Sequence, residues 1–209
     1  MNKSLTLLST ALLLATASPA FAASSVDLTV KGLITPSACT LELPGVVDFG
    51  KISAKDLNQD RQTRLEDKTL QLTVNCEAKT LFAINPIDNR VGSPSQTHPA
   101  AYGLGLINDT EKLGMYVFGL RNSVTEPPST EILQFRDGQW RSFWIDEYAT
   151  PNQLLAFGGF QGDIGYLPEP IENASVEIWI NTWIARADTL NLTNEVALDG
   201  SATLELKYL

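Results

Sequence analysis

The side chains able to do chemistry are few. Two cysteines, Cys39 and Cys76, stand beside a single histidine, His98, in a 209-residue chain whose acidic residues outnumber the basic ones 24 to 15. A thiol pair can form a disulfide, stay reduced or bind metal. Metal binding is disfavoured, because no Cys-x-x-Cys spacing exists and His98 is the only histidine. Asp146 with Glu147, or Glu169 with Glu172, could be imagined as a glycosidase pair. Such a pair needs a defined separation across a cleft, and in an acidic chain neighbouring carboxylates are mostly solvated. There is no Gly-x-Ser-x-Gly, no phosphate loop and no histidine placed to activate a serine. The expectation is a protein that is not an enzyme and carries no cofactor.

Trp140, Trp144, Trp179 and Trp183, with Tyr148 close in sequence, are the aromatic feature of the chain. Sugars stack on exposed rings beside polar groups, so these are candidate carbohydrate contacts. The competing reading is packing on a core or sheet face, where large aromatics belong.

The frame that would position these residues starts with an export signal. Lys3 gives a basic start, Leu5 to Ala15 is apolar apart from Ser9 and Thr10, and Pro19 precedes the small-x-small site Ala20-Phe21-Ala22. Residues 1–22 read as a secretory signal peptide and residues 23–209 as one exported domain. No later run reaches the roughly 18 apolar residues of a membrane helix. An oxidising compartment makes a Cys39–Cys76 disulfide the default. Closing that loop is worth roughly 4 kcal/mol in the chain-entropy account. The net charge of −9 argues against nucleic acid, since phosphate binding depends on clustered Lys and Arg.

Alternation dominates the rest. Val26, Leu28 and Val30 alternate with Asp27, Thr29 and Lys31. Val46 to Phe49 reads as a short strand, and Ile52 to Asp67 as a loop with a helical turn. Leu70, Leu72, Val74 and Cys76 alternate with Gln71, Thr73 and Asn75, which puts Cys76 on a buried face. Leu81 to Ile84 and Leu113 to Leu120 read as strands. Ile132 to Arg136 and Gln139 to Ile145 flank Asp137-Gly138, a type I′ hairpin signal. Leu154 to Ile164 is Gly-rich and carries no clear pattern. Val176, Ile178, Ile180, Thr182 and Ile184 form one face of a long strand, with Trp179 and Trp183 on the other. After Asp199-Gly200, the residues Ala202, Leu204, Leu206 and Tyr208 alternate again. Short alternating runs between turn signals predict an all-β sandwich or barrel.

Four of these stretches carry a resemblance. Val30-Lys31-Gly32-Leu33-Ile34 with Cys39-Thr40-Leu41 resembles the first strand of pilin subunits assembled by the chaperone–usher pathway. Val46-Val47-Asp48-Phe49-Gly50-Lys51-Ile52 resembles the short strand that follows it there. Leu70-Gln71-Leu72-Thr73-Val74-Asn75-Cys76 resembles the strand with their second cysteine. Leu204-Glu205-Leu206-Lys207-Tyr208-Leu209 resembles their terminal strand with its penultimate tyrosine. The resemblance covers residues 26–84 and 196–209 and is nearest to secreted pilin-like proteins of gram-negative bacteria.

That resemblance implies an immunoglobulin-like sandwich with a disulfide between its first two strands and without its last strand. A periplasmic chaperone, and then the N-terminal extension of a neighbouring fimbrial subunit delivered at the usher, supplies the strand. It implies a partner-binding edge at Ala202, Leu204, Leu206 and Tyr208, and donor positions at Val26 and Leu28. It also implies residence in the periplasm, in a fimbrium at the cell surface, or in the medium. The bland reading of the same edge is an ordinary half-buried strand in a complete sandwich. The competing function is a stand-alone carbohydrate-binding module using the four tryptophans.

Overall fold

The computed structural model describes residues 29–31, 38–129 and 131–209. The expected signal peptide, and Val26 and Leu28, lie outside the described residues. The chain divides into two compact units, Met1–Ile34 and Thr35–Leu209. The first contributes only residues 29–31 to the described set, all exposed.

The second unit is a β-sandwich without an α-helix among the described residues. Its strands in chain order are β1 (Cys39–Glu42), β2 (Thr63–Arg64), β3 (Lys68–Thr80), β4 (Phe82–Asp88), β5 (Tyr102–Gly103), β6 (Leu106–Ile107) and β7 (Glu111–Lys112). They continue with β8 (Gly114–Glu126), β9 (Glu131–Arg136), β10 (Gln139–Ser142), β11 (Leu155–Phe160), β12 (Tyr166–Pro168), β13 (Ile171–Ile184) and β14 (Ala202–Tyr208). One antiparallel sheet has the order β1-β3-β13-β8-β5, with β2 on β13. The other has the order β10-β9-β11-β4-β14, with β12 on β11, and β6 and β7 make a small hairpin. The run β1-β3-β13-β8 facing β4-β14 corresponds to strands A-B-E-D facing C-F of the immunoglobulin arrangement.

The period of two explains the layers. On β13, Val176, Ile178 and Ile180 are buried, while Glu177, Trp179 and Trp183 are half-buried on the outer face. On β3, Leu72, Val74 and Cys76 are buried between exposed Gln71, Asn75 and Glu77. These residues meet Phe82, Ile84, Phe118, Leu120, Leu155 and Phe157 in the main core. A smaller core joins Leu57, Leu104, Ile107, Leu113 and Ile184 beneath Leu192, Val196 and Leu198. Each fully buried aliphatic or phenyl side chain contributes about 1.5–3 kcal/mol.

The disulfide links Cys39 to Cys76, which face each other across β1 and β3. The Asp137-Gly138 turn forms as expected, with φ of 54° and 78° at its two residues, but the strand after it ends at Ser142, short of the Ile145 read from sequence. Three other expectations change. Val46–Phe49 is not a strand; it has no ladder partner among the described residues. The strand read as Leu81 to Ile84 continues through Pro86 to Asp88. Pro86 is tolerated because its nitrogen faces away from β14, on the side where β11 has already diverged, and its carbonyl accepts the Asn152 N–H at 2.7 Å. The Gly-rich stretch hides β11, whose Gly158 leaves no room for a Cβ beside the Leu167 carbonyl.

Replacing both cysteines by alanine is expected to lower unfolding stability by about 2–5 kcal/mol. A urea titration of the oxidised wild type and the double variant measures this. Equal midpoints would show that the link adds nothing to the fold.

Candidate functional site

The site is built from the edge of β14. Backbone bonds from Asn89 N–H to the Ser201 carbonyl and from Leu209 N–H to the Leu81 carbonyl set the parity of the β4–β14 ladder. Odd-numbered residues of β14 bond β4, so Ala202, Leu204, Leu206 and Tyr208 turn their N–H and C=O groups the other way. No described strand pairs with that edge. The position corresponds to the one strand G holds beside strand F in the immunoglobulin arrangement.

A trough lies along this edge. Its first part is a cavity of about 330 Å³. One wall is Leu43, Val46, Val47 and Phe49, the other is Leu198, Ala202 and Leu204, and Leu70, Phe118, Ile178 and Ile180 form the floor. It continues into a second cavity of about 680 Å³ between residues 46–52 and 192–198, over Leu57, Leu113 and Ile184. Val46, Val47, Phe49 and Leu198 belong to both. Core-facing side chains on the rims are only half covered: Leu41, Val47, Leu204 and Leu206 are partly buried. Val46 is 87% exposed.

Both rims are fixed. The Cys39 N–H donates to the Tyr208 hydroxyl at 3.1 Å, which ties β1 to β14 at one end. Farther along, the Arg90 guanidinium donates to both carboxylate oxygens of Asp199 at 2.7 and 2.9 Å, and to its carbonyl at 2.9 Å. The Asp199 N–H donates to the Leu104 carbonyl at 3.1 Å. Gly200 lies so close to the floor that a Cβ would meet Leu104 at 2.9 Å and Tyr116 at 3.2 Å. The Arg90 hydrogen bond is the main cause holding the Asp199 carboxyl below its ordinary range, and the attraction of the same guanidinium adds to it. Burial pushes the Tyr102 and Tyr116 phenols far above theirs, so both stay neutral under the trough.

Cys39 and Cys76 are joined across β1 and β3, outside the residues that line the trough. Ala202 and Leu204 line the trough, and Leu206 and Tyr208 continue the same unpaired edge beyond it. The tryptophans are not gathered into one site. Trp179 and Trp183 lie on the outer face of the first sheet, Trp140 is in the second sheet, and Trp144 is exposed in the turn after β10. The Arg121 guanidinium covers Trp179 at 5.3 Å, with Tyr148 stacked nearby at 6.0 Å, and Arg64 covers Trp183 at 5.6 Å. The Trp179 indole N–H donates to Asp67 at 3.3 Å. Glu147 is consumed by Arg136 and by the Trp144 N–H. Among the described residues no group of His, Cys, Asp and Glu could hold a metal ion, and no helix is long and apolar enough to cross a membrane.

The rim at Val46–Phe49 and the Arg90–Asp199 clamp were not legible as site elements. The clamp joins residues 109 positions apart, and nothing local in either segment announces it. The Phe-Gly stretch did carry a signal, but one read as a paired strand.

Comparison with known proteins adds kinship without a function. A family described as "Protein of unknown function (DUF1120)" matches residues 28–109, which run from before β1 to beyond β6. The chain is 25% identical over 222 residues to the "Uncharacterized protein YhcF" of Escherichia coli K12, covering 90% of this chain and 92% of the relative. It is 30% identical over 124 residues to "Protein GltF" of the same organism, covering 48% of this chain and 49% of the relative. It therefore spans about half the length of GltF.

Because the folded carboxyl of Asp199 is lowered, the clamp stabilises above the group's ordinary value of 3.8 and fades as pH falls below it. Asp199→Asn protein is expected to lose stability less steeply in acid than wild type does. Denaturant midpoints on either side of that pH check this, and parallel slopes would remove the clamp from the rim.

Proposed function

We propose that this chain is a non-catalytic, exported subunit of fimbrial type, which accepts a β-strand from a partner in the trough beside β14. The carrying observation is the outward-facing backbone of Ala202, Leu204, Leu206 and Tyr208 on an unpaired edge, with an apolar floor beside Ala202 and Leu204. An edge of this kind satisfies both its hydrogen-bonding groups and its exposed apolar surface by taking up one extended strand. The unpaired rim at Val46–Phe49 supports the same reading, since an inserted strand would lie between it and β14 and give it a neighbour.

The physical scale fits a partner that completes the fold. A donor strand that places four or five aliphatic side chains on the floor contributes roughly 10 kcal/mol, at about 1.5–3 kcal/mol each. That is comparable to the whole stability of a typical domain, about 5–15 kcal/mol. By the resemblance, the donors are a periplasmic chaperone and then a neighbouring subunit at the usher. The place of action is the periplasm, or a fimbrium at the cell surface where it would serve adhesion.

The test uses the exported chain with a synthetic peptide of alternating aliphatic and polar residues. The peptide is expected to raise the unfolding temperature and to add backbone protection against hydrogen exchange along residues 202–208. In Leu206→Asp protein, which places a charge on the apolar side of the edge, that gain should fall at least tenfold in affinity. Full stability of the chain alone, with residues 202–208 already protected and no response to peptide, would end the proposal.

A further inference from the structure

At the far edge of the second sheet from β14, a separate cleft of about 530 Å³ opens between β10 and β12. Trp140 stands on one side and Tyr166 on the other, with Ile164, Gln139 and Arg141 also lining it. Each ring is backed by a second aromatic: Phe135 lies 5.2 Å from Trp140, and Phe160 lies 5.2 Å from Tyr166. Phe160 and Ile164 are themselves 63% and 72% exposed. The apolar surface around the cleft is thus concentrated, and such concentration marks interaction surfaces. The volume falls within the roughly 300–1,000 Å³ of small-ligand sites.

The polar groups narrow the class of ligand. Trp140 sits opposite Phe135 in a non-hydrogen-bonded position of the hairpin, because Phe143 N–H bonds the Ile132 carbonyl three residues on. Its own N–H and C=O therefore point away from β9. No carboxylate lines the cleft, although the chain has 24 acidic residues; Asp137 and Asp163 sit in the adjoining turns. Arg141 is exposed, and among the described residues it and Arg61 are the arginines outside any ion pair. A four-residue β10 with one such outward residue at the cleft is too short to recruit a strand.

We infer that this cleft binds one ring of an acidic saccharide. The apolar face of the ring stacks on Trp140 or Tyr166, its hydroxyls meet Gln139 and the Trp140 backbone, and its carboxylate pairs with Arg141. The site does not depend on strand acceptance at β14. Because the two lie at opposite edges of one sheet, both can be filled at once.

The test is a glycan array that includes uronic and sialic acids beside neutral hexoses, probed with the exported chain as purified, followed by titration of the retained sugars. Acidic sugars are expected to bind. Trp140→Ala should weaken binding at least tenfold, and Arg141→Gln should abolish the preference for acidic over neutral sugars. Trp144→Ala, an exposed indole outside the cleft, should bind like wild type, and Tyr166→Phe gives a second variant that keeps the ring. An array with no retained sugar, or binding that survives Trp140→Ala, would overturn the site. Neutral sugars bound equally well by wild type and Arg141→Gln would overturn the acidic assignment.

Discussion

Backbone hydrogen bonding is the constraint from which the rest follows. A strand inside a sheet satisfies its N–H and C=O groups on both sides, whereas an edge strand leaves half of them to water or to a partner. Proteins blunt such edges by keeping them short. Of the four strands that end the two sheet orders, three are short: β1 and β10 have four residues each and β5 has two. β8 runs on past β5, where its Phe118 carbonyl takes the Ala149 N–H from the loop. The fourth, β14, has seven, and its unpaired side looks onto Leu70, Phe118, Ile178 and Ile180 rather than onto solvent alone. A long edge above an apolar floor combines two unmet demands, and one extended segment answers both.

The surrounding contacts fix both sides of this edge. The disulfide sets β1 on β3 in a register that carries the chain past Leu41 and on to the Val46–Phe49 rim. The Tyr208 hydroxyl joins the two rims at one end, and the Arg90–Asp199 clamp holds the other rim against Leu104. Leu204 and Leu206 are half-buried on this edge, whereas Val176 and Ile178 on the central β13 are fully buried.

The frame was legible because its residues obey simple periods. Alternation located β3, β13 and β14 and put the right faces inward; Asp137-Gly138 located the hairpin; the expectation of an oxidising compartment, with two cysteines, pointed to the disulfide. What escaped was set by tertiary pairing. Val46–Phe49 has the composition of a strand, but a strand also needs a neighbour, and composition cannot supply one. The strand read as Leu81 to Ile84 stops short of Pro86, whose nitrogen cannot donate, and only the ladder shows that this nitrogen faces away from β14. At β14 the pattern was correct and still ambiguous, since an edge and an interior strand with one buried face share the same alternation.

The tryptophans show how a residue type can suggest chemistry that its neighbours have already used. An indole offers a sugar its face, and a guanidinium laid over that face competes for the same electrons. Trp179 and Trp183 carry Arg121 and Arg64 in that position, so their half-exposure reflects a packed outer layer of alternating rings and cations. Trp140 has only another ring behind it, at a tilt of 60°, which leaves its cleft side for something else. The distinction turns on what covers each ring, and sequence distance says little about it: Arg64 lies 119 positions from Trp183 in the chain and directly over it in the fold.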